Sequence, residues 1–253
     1  ELLNLKEYTE EDFRSVRTIF NVGPTEQLVS MQKLMPYTVQ ITAYGMTEMG
    51  GSVVMSDRSD DLSGRSESSG KALPGNEVQI RHPDTRELLG PDQKGEIVAR
   101  GVGVFSRYHN DVQKTGESFD SEGWFFSGDL GSIDEHGRVA FLGRLKDMLK
   151  VGGENVASVE IEGYLATHPK IKLSAVVGLE DEKYGEVPVA YVELKPGEEA
   201  TEAEIIKFCK GEIASFKVPK HIRFIQEWPM GATKILKYEL KERIEKEIAR
   251  SSS

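Results

Sequence analysis

GRLKDMLKVGGEN, residues 143–155, is the stretch on which the reading of the fold turns. Gly143 opens it and Gly152-Gly153 close it. Between them lie three cations (Arg144, Lys146, Lys150), Asp147, and the apolar Leu145, Met148 and Leu149. Mixed charge suits a solvated helix. Glycines oppose one, each weakening a helix by about 1 kcal/mol. The sequence also changes style on either side of the stretch, so a short hinge between two bodies is the better physical reading.

Upstream, Thr9-x-x-Asp12 has the form of a helix start, with a hydroxyl for orphan N–H groups and an acid in the first turn. SVRTIFNVG reads as a short strand ending at Gly23-Pro24. TEQLVSMQKLMP carries apolar residues at 28, 29, 31, 34 and 35, which is helical spacing, and TVQITAYG reads as a β-branched strand. These are the crossover units of a doubly wound α/β sheet. DRSDDLSGRSESSG (57–70) is polar and reads as a loop. NEVQIRH and GEIVARG then flank a turn-rich connection, and WFFSGDLGSI and RVAFLGR flank a turn at Asp134–Gly137. Short strands with Gly and Asp turns predict a small antiparallel sheet or barrel.

Downstream of the hinge, Ser158 is a plausible cap for VEIEGYLATHP. LSAVVGLED, VPVAYVELK and HIRFIQEW read as strands. Thr201-x-x-Glu204 is a capping box, and apolar residues at 236, 240, 244 and 248 stripe a C-terminal helix. This is a small α+β domain. The expected division is therefore 1–69, the end of a large α/β domain; 70–143, an antiparallel β subdomain; and 144–253, an α+β domain with its hinge near 144–147.

The bulk numbers narrow the function. A net charge of -10 argues against sequence-independent binding to nucleic acid or to an anionic membrane. The single cysteine, Cys209, excludes an internal disulfide framework and reads as a small apolar residue on a helix face. No run approaches the roughly 20 apolar residues of a membrane span, and no signal peptide is evident, so a cytoplasmic address is expected. A homo-oligomer is left open. The start at Glu1 without methionine and the terminal SSS suggest an excerpt of a longer chain.

Four segments carry candidate chemistry. TAYGMTEMGG (42–51) ends a strand, where α/β sheets place ligands. It offers an aromatic, Tyr44; a hydroxyl, Thr47; and a carboxylate, Glu48, suited to Mg²⁺. A plain strand exit is the alternative. Asp129, after an aromatic strand, can accept from vicinal hydroxyls or be a turn aspartate. Lys234, between a Pro/Gly-rich loop and a helix, can reach out as a mobile charge or be a surface lysine. SESSGKALPG (66–75) fails as a phosphate loop, because five residues separate Gly64 from Gly70 and Ala72 follows Lys71. No two histidines stand at metal-ligand spacing.

Taken in order, YGMTE, WFFSGDLG, GRLKDMLKVGGENV…VEIE and FKVP…WPMGATKILK resemble the successive signatures of the adenylate-forming (AMP-binding) superfamily. The flavour is that of acyl-CoA synthetases and 4-coumarate–CoA ligase-like enzymes, and the resemblance runs from about residue 15 to 245. It implies a two-step reaction. A carboxylic acid and ATP give acyl-AMP and pyrophosphate; CoA then displaces AMP while a small C-terminal domain rotates between the steps.

By position, the resemblance gives Tyr44, Gly45 and Met46 to the nucleotide, with Tyr44 stacking on adenine. Thr47 goes to the α-phosphate or acyl carbonyl and Glu48 to Mg²⁺. Asp129 and Arg144 take the ribose hydroxyls, and Lys146 the hinge. Lys150, Gly152, Gly153 and Glu154 fall to the thioester step, Lys234 to adenylation, and Asn21–Pro24 to the adenine-side loop. The implied cofactors are ATP, Mg²⁺ and CoA, and the partner is a small fatty or aromatic acid.

The chain departs from the family pattern in three places. The Ser/Thr/Gly-rich phosphate loop is absent, so this chain alone is expected not to make acyl-CoA. One glycine is missing before Lys234, which makes Lys237 a fallback. Ser158 replaces a usual proline, with little effect expected. Three competing functions remain: an adenylation enzyme that loads a carrier-protein thiol, a catalytically silent nucleotide- or acyl-binding homologue, and a luciferase-type oxygenase.

Overall fold

The structure is a computed structural model that describes residues 10–23, 25–231 and 234–251. The chain divides into two compact units, residues 1–145 and 146–253.

In the first unit, β1 (Thr18–Phe20) and β2 (Val39–Ile41) pair in parallel, joined by helix α1 (Thr25–Leu34). This is the crossover that the alternating strand and helix patterns predict. Thr9 lies outside the described residues, and Glu10–Phe13 form a single 3-10 turn ahead of β1. The segment read as a loop at 57–70 contains a short helix, α2 (Leu62–Ser66), because the Asp61 carboxylate accepts from the Gly64 N–H at 2.8 Å. Between α1 and α2 begins a three-stranded sheet of β3 (Ala43–Tyr44), β4 (Val54–Met55) and β5 (Lys71–Ala72).

The antiparallel portion is an open sheet and not a closed barrel. It has four strands in simple order: β6 (Asn76–Arg81), β7 (Gly95–Gly101), β8 (Phe125–Ile133) and β9 (Val139–Arg144). A meander of consecutive hairpins leaves β6 and β9 as edges. The β8–β9 turn forms as the sequence indicates. Asp134 accepts from the backbone N–H groups of His136 and Arg138 at 2.9 and 2.7 Å, and Gly137 takes a left-handed φ of 77°. Beneath the sheet lies a core that includes Met49, Val53, Ile80, Ile97, Phe125 and Val139, all 2% exposed or less.

The second unit opens with a hairpin, β10 (Met148–Val151) and β11 (Glu154–Ala157), which joins β12 (Ile171–Asp181), β13 (Gly185–Leu194) and β14 (His221–Phe224). β12 and β13 are antiparallel, whereas β14 runs parallel to β13. Both central strands are continuous apolar runs because both faces of the sheet are covered. Val176, Ala190 and Val192 face the core that holds α4 (Ser158–Leu165) and α5 (Glu202–Cys209). Their alternating neighbours Ala175, Val177, Val189 and Tyr191 pack against Leu240 and Ile244 of α6 (Lys237–Ser251). Burying a Leu or Ile fully contributes about 1.5–3 kcal/mol, so the 240/244/248 stripe fixes α6 to the sheet. Thr201 caps α5 by accepting from Glu204 N–H at 3.2 Å.

Ser158 is not a cap. The N-cap of α4 is Ala157, and Ser158 is the first helical residue.

Candidate active site

GRLKDMLKVGGEN is neither helix nor phosphate loop. Gly143-Arg144 ends β9, Leu145–Asp147 forms one 3-10 turn, and Met148 starts β10. The boundary between the two units falls inside that turn. Gly152 and Gly153 are the two central residues of the β10–β11 hairpin. Val151 pairs with Glu154 across them, and their φ values are 61° and 90°. A two-residue turn with φ positive at both positions matches strand twist, and glycine adopts it at little steric cost. Gly152 N–H donates to Tyr184 carbonyl oxygen at 2.7 Å. Lys150 has its backbone N–H on Glu186 Oε2 at 2.9 Å and is exposed, as are Lys146 and Glu154.

In the first unit the strand exit at 42–51 folds tightly on itself. Met46 accepts from the N–H groups of Met49 and Gly51 at 2.9 and 3.0 Å. A Cβ at Gly45 would sit 2.4 Å from the Gly51 carbonyl oxygen, so only glycine fits there. The turn puts Thr47 at the surface and Glu48 half-buried. Glu48 is held twice. Its carbonyl oxygen accepts from Phe105 N–H at 2.8 Å, and its Oε1 accepts from the Tyr108 hydroxyl at 3.0 Å. Burial and the Glu48 hydrogen bond raise the Tyr108 phenol above its ordinary range, which keeps it a donor.

Asp129 and Arg144, fifteen residues apart in sequence, are direct cross-strand partners on β8 and β9. Arg144 Nε lies 3.2 Å from Asp129 Oδ1, and the Tyr44 hydroxyl donates to Asp129 Oδ2 at 2.9 Å. Burial, and then the Asp129 charge, pushes the Tyr44 phenol far above its ordinary range, so it too remains a donor. Just before Asp129, Gly128 has a φ of 71° and donates its N–H to buried Glu96 Oε1 at 2.7 Å. Ser127 Oγ accepts from Asp129 N–H at 3.0 Å.

Tyr44 packs into the core of the first unit. It is 6% exposed, and its ring lies on Phe141 at 5.8 Å with a 24° interplanar angle. Its place in the structure is that of a brace for Asp129. The sequence reading missed Tyr108, Phe141, Ser127 and Glu96. Tyr108 meets Glu48 across 60 positions, and no local pattern signals such a contact.

In the second unit, Lys234 is exposed, and its side chain makes no hydrogen bond or ion pair with the described residues. Lys237 is not an equivalent cation. Its Nζ contacts Ser158 Oγ and Glu162 Oε1, both at 2.7 Å. Pro24, the end of the expected adenine-side loop, lies outside the described residues. Asn21 N–H donates to Ile41 carbonyl oxygen at 2.9 Å, at the end of β1. Among the described residues no three His, Cys, Asp or Glu side chains cluster as a metal site.

Two family models match this chain: AMP-binding enzyme over residues 1–109, and AMP-binding enzyme C-terminal domain over 160–235. The chain belongs to the AMP-binding enzyme family. Within this adenylate-forming family it is 34% identical over 252 residues to the mitochondrial medium-chain acyl-CoA ligase ACSF2 of Rattus norvegicus, which covers 98% of this chain and 41% of that protein. Among solved structures, the anthranilate CoA ligase AuaEII in complex with anthranoyl-AMP superposes with a TM-score of 0.83 at 28% identity, covering 96% of this chain and 47% of that one. The o-succinylbenzoate CoA synthetase MenE of Bacillus subtilis, in complex with its acyl-adenylate, gives 0.81 at 31% identity over 90% and 46%. The chain thus spans less than half the length of these relatives. No helix of the described residues is long and apolar enough to cross a membrane.

Proposed function

We propose that the chain is the C-terminal part of an AMP-forming acid–thiol ligase. That enzyme joins a fatty or aromatic carboxylic acid to AMP and then passes the acyl group to CoA. The observation that carries the reading is the Tyr44–Asp129–Arg144 constellation, in a chain whose relatives are named as CoA ligases and solved with acyl-adenylates.

Asp129 is fixed from both sides, and each carboxylate oxygen can accept more than one hydrogen bond. It thus suits vicinal ribose hydroxyls, with Arg144 fixing its orientation. Gly45 and Met46 form the wall of the same turn. Thr47, exposed beside them, offers a hydroxyl to a phosphate oxygen or an acyl carbonyl.

Glu48 is a single carboxylate held in place by Tyr108. Such a site fits Mg²⁺, which keeps its waters and binds through one or two carboxylates plus substrate phosphates. When bound, the ion neutralises phosphate charge. Lys234 would stabilise the charge that develops where the carboxylate meets the α-phosphorus. Lys146 lies in the turn at the unit boundary and would serve as the hinge. Lys150, Gly152, Gly153 and Glu154 would serve the thioester step, where a hairpin without side chains at its tip admits close approach by an extended thiol.

A cytoplasmic location belongs to the same proposal. The rat relative's name gives mitochondrial for that protein, so cell fractionation is the measurement that decides. The reading of the reaction is tested by carboxylate-dependent pyrophosphate release from the full-length protein, with and without CoA, across short, long and aromatic acids. Release that yields acyl-CoA when CoA is present is the expected result. Nucleotide binding with no release for any acid would favour the silent homologue. Acyl transfer to a carrier-protein thiol but not to CoA would favour the carrier-loading enzyme.

A further inference from the structure

One of the chain's departures from its family pattern lies against the helix that follows the other. Ser158 stands where a proline is usual, and the loop before Lys234 is one glycine short. Met230 and Ile235 form an antiparallel bridge. Gly231 N–H donates to Lys234 carbonyl oxygen and Leu236 N–H to Pro229 carbonyl oxygen, both at 2.8 Å. At the loop's entry, Trp228 Nε1 donates to Glu193 Oε2 at 2.7 Å. At its exit, Lys237 donates to Ser158 Oγ and Glu162 Oε1. Ser158 and Glu162 are one helical turn apart on α4, so they present their oxygens together. Glu162 is itself fixed by Val176 N–H at 2.7 Å. A proline at 158 has no hydroxyl and would leave Lys237 with one partner fewer.

We infer that Lys237 is a positioning residue. It is anchored by Ser158 and Glu162 and sets the stance of Lys234 from the C-terminal base of the loop. This deepens the proposed reaction, and it rests on the reading of Lys234 as the adenylation lysine. It also removes Lys237 as the substitute cation, since an ammonium engaged by a hydroxyl and a carboxylate does not turn to a phosphate without leaving both. Lys234 stands three residues before Lys237, so a fixed Lys237 limits where Lys234 can stand. Misplacement of a reacting group by a fraction of an ångström to an ångström slows chemistry by up to about 100-fold.

The test uses the full-length protein with Lys237→Met, Lys237→Arg and Ser158→Pro. Carboxylate-dependent pyrophosphate release should fall about tenfold in Lys237→Met. Thioester formation from supplied acyl-AMP should change less than about twofold. Lys237→Arg should recover most of the loss, and Ser158→Pro should lower the first half-reaction by a smaller factor. Equal loss in both half-reactions with no recovery by arginine would overturn the inference. So would loss in Lys237→Met as deep as in Lys234→Ala. Amine labelling read by mass spectrometry decides the anchor without any activity. Lys234 should label fast and Lys237 slowly, and Ser158→Ala combined with Glu162→Gln should speed Lys237 alone. Equal labelling of the two lysines in the unaltered protein would sink the proposal even if the ligase reading holds. Slow labelling of Lys237 in a protein that releases no pyrophosphate would uphold the anchor while the ligase reading fails.

Discussion

The charged groups assigned to the reaction are held in opposite ways in the two units. In the first, Asp129 is 3% exposed and lies between Arg144 and the Tyr44 hydroxyl, with Glu96 and Gly128 shaping the strand just before it. In the second, Lys234, Lys146 and Lys150 are exposed, two of them in turns and one on a hairpin strand. A buried carboxylate paired with a half-buried arginine and bonded to a hydroxyl is fixed before any ligand arrives. An exposed lysine on a flexible stem is a point charge with no set geometry until an anion supplies one. On the proposed roles, the groups that would hold the nucleotide are fixed within a sheet, and the lysines that would meet a developing charge are exposed in a unit of their own.

The largest effect expected from this contrast is at Lys234. Lys234→Ala in the full-length protein should cut pyrophosphate release about 10²–10³-fold. Thioester formation from supplied acyl-AMP should be spared, and stability should change by no more than about 0.5 kcal/mol. Equal loss of both half-reactions would break the comparison. Asp129→Ala should do the reverse of Lys234→Ala on folding. It leaves the Arg144 guanidinium and the Tyr44 hydroxyl without their acceptor, and the first unit should lose about 2 kcal/mol, read as an earlier urea midpoint. Nucleotide affinity should fall with it. An unchanged midpoint would mean that the pair does not brace the sheet.

The sequence showed the hairpins and the C-terminal stripe because their signals are local. Asp134 and Gly137 dictate a turn, and residues 240, 244 and 248 repeat at helical spacing. It offered Asp129 as an acceptor after an aromatic strand, and the family resemblance added Arg144 beside it. What it could not show is registry between distant strands. That Asp129 faces Arg144, that Tyr44 reaches Asp129 across 85 positions, and that Phe141 covers the Tyr44 ring are consequences of how β3, β8 and β9 stack. The same limit explains the misreading of Ser158. A serine before an apolar helix looks like a cap, and only the approach of Lys237 from 79 residues away reveals its other partner. The choice between sheet and barrel stayed open for a related reason, because strand propensity does not say whether the first and last strands meet.

Smaller effects sharpen the contrast within the hinge. Proline at 146 fixes φ in the 3-10 turn where the two units divide. Lys146→Pro should slow thioester formation about tenfold if the turn must change its dihedrals between steps, and slow acyl-AMP formation less. A variant with both half-reactions slowed alike would remove Lys146 from the hinge role.

The smallest effect concerns a titratable group used only for packing. Cys209 is fully buried on α5, and burial pushes its thiol up to about 11. A thiol in an unfolded chain loses its proton at about pH 8.5. Below that pH both folded and unfolded chains are protonated, and the stability is undiminished. Between about 8.5 and about 11 the unfolded chain releases the proton and the folded one retains it, so unfolding gains about 1.4 kcal/mol per pH unit. Above about 11 the curve flattens. Amide exchange in β12 and β13 across this range should therefore accelerate more steeply in the unaltered protein than in Cys209→Ala, which has no thiol to titrate. Parallel curves would mean that the second unit opens around Cys209 without global unfolding. The cysteine would then belong with the loosely held lysines of its unit and not with the fixed core that the packing of Ile205, Leu165 and Ile222 around it implies.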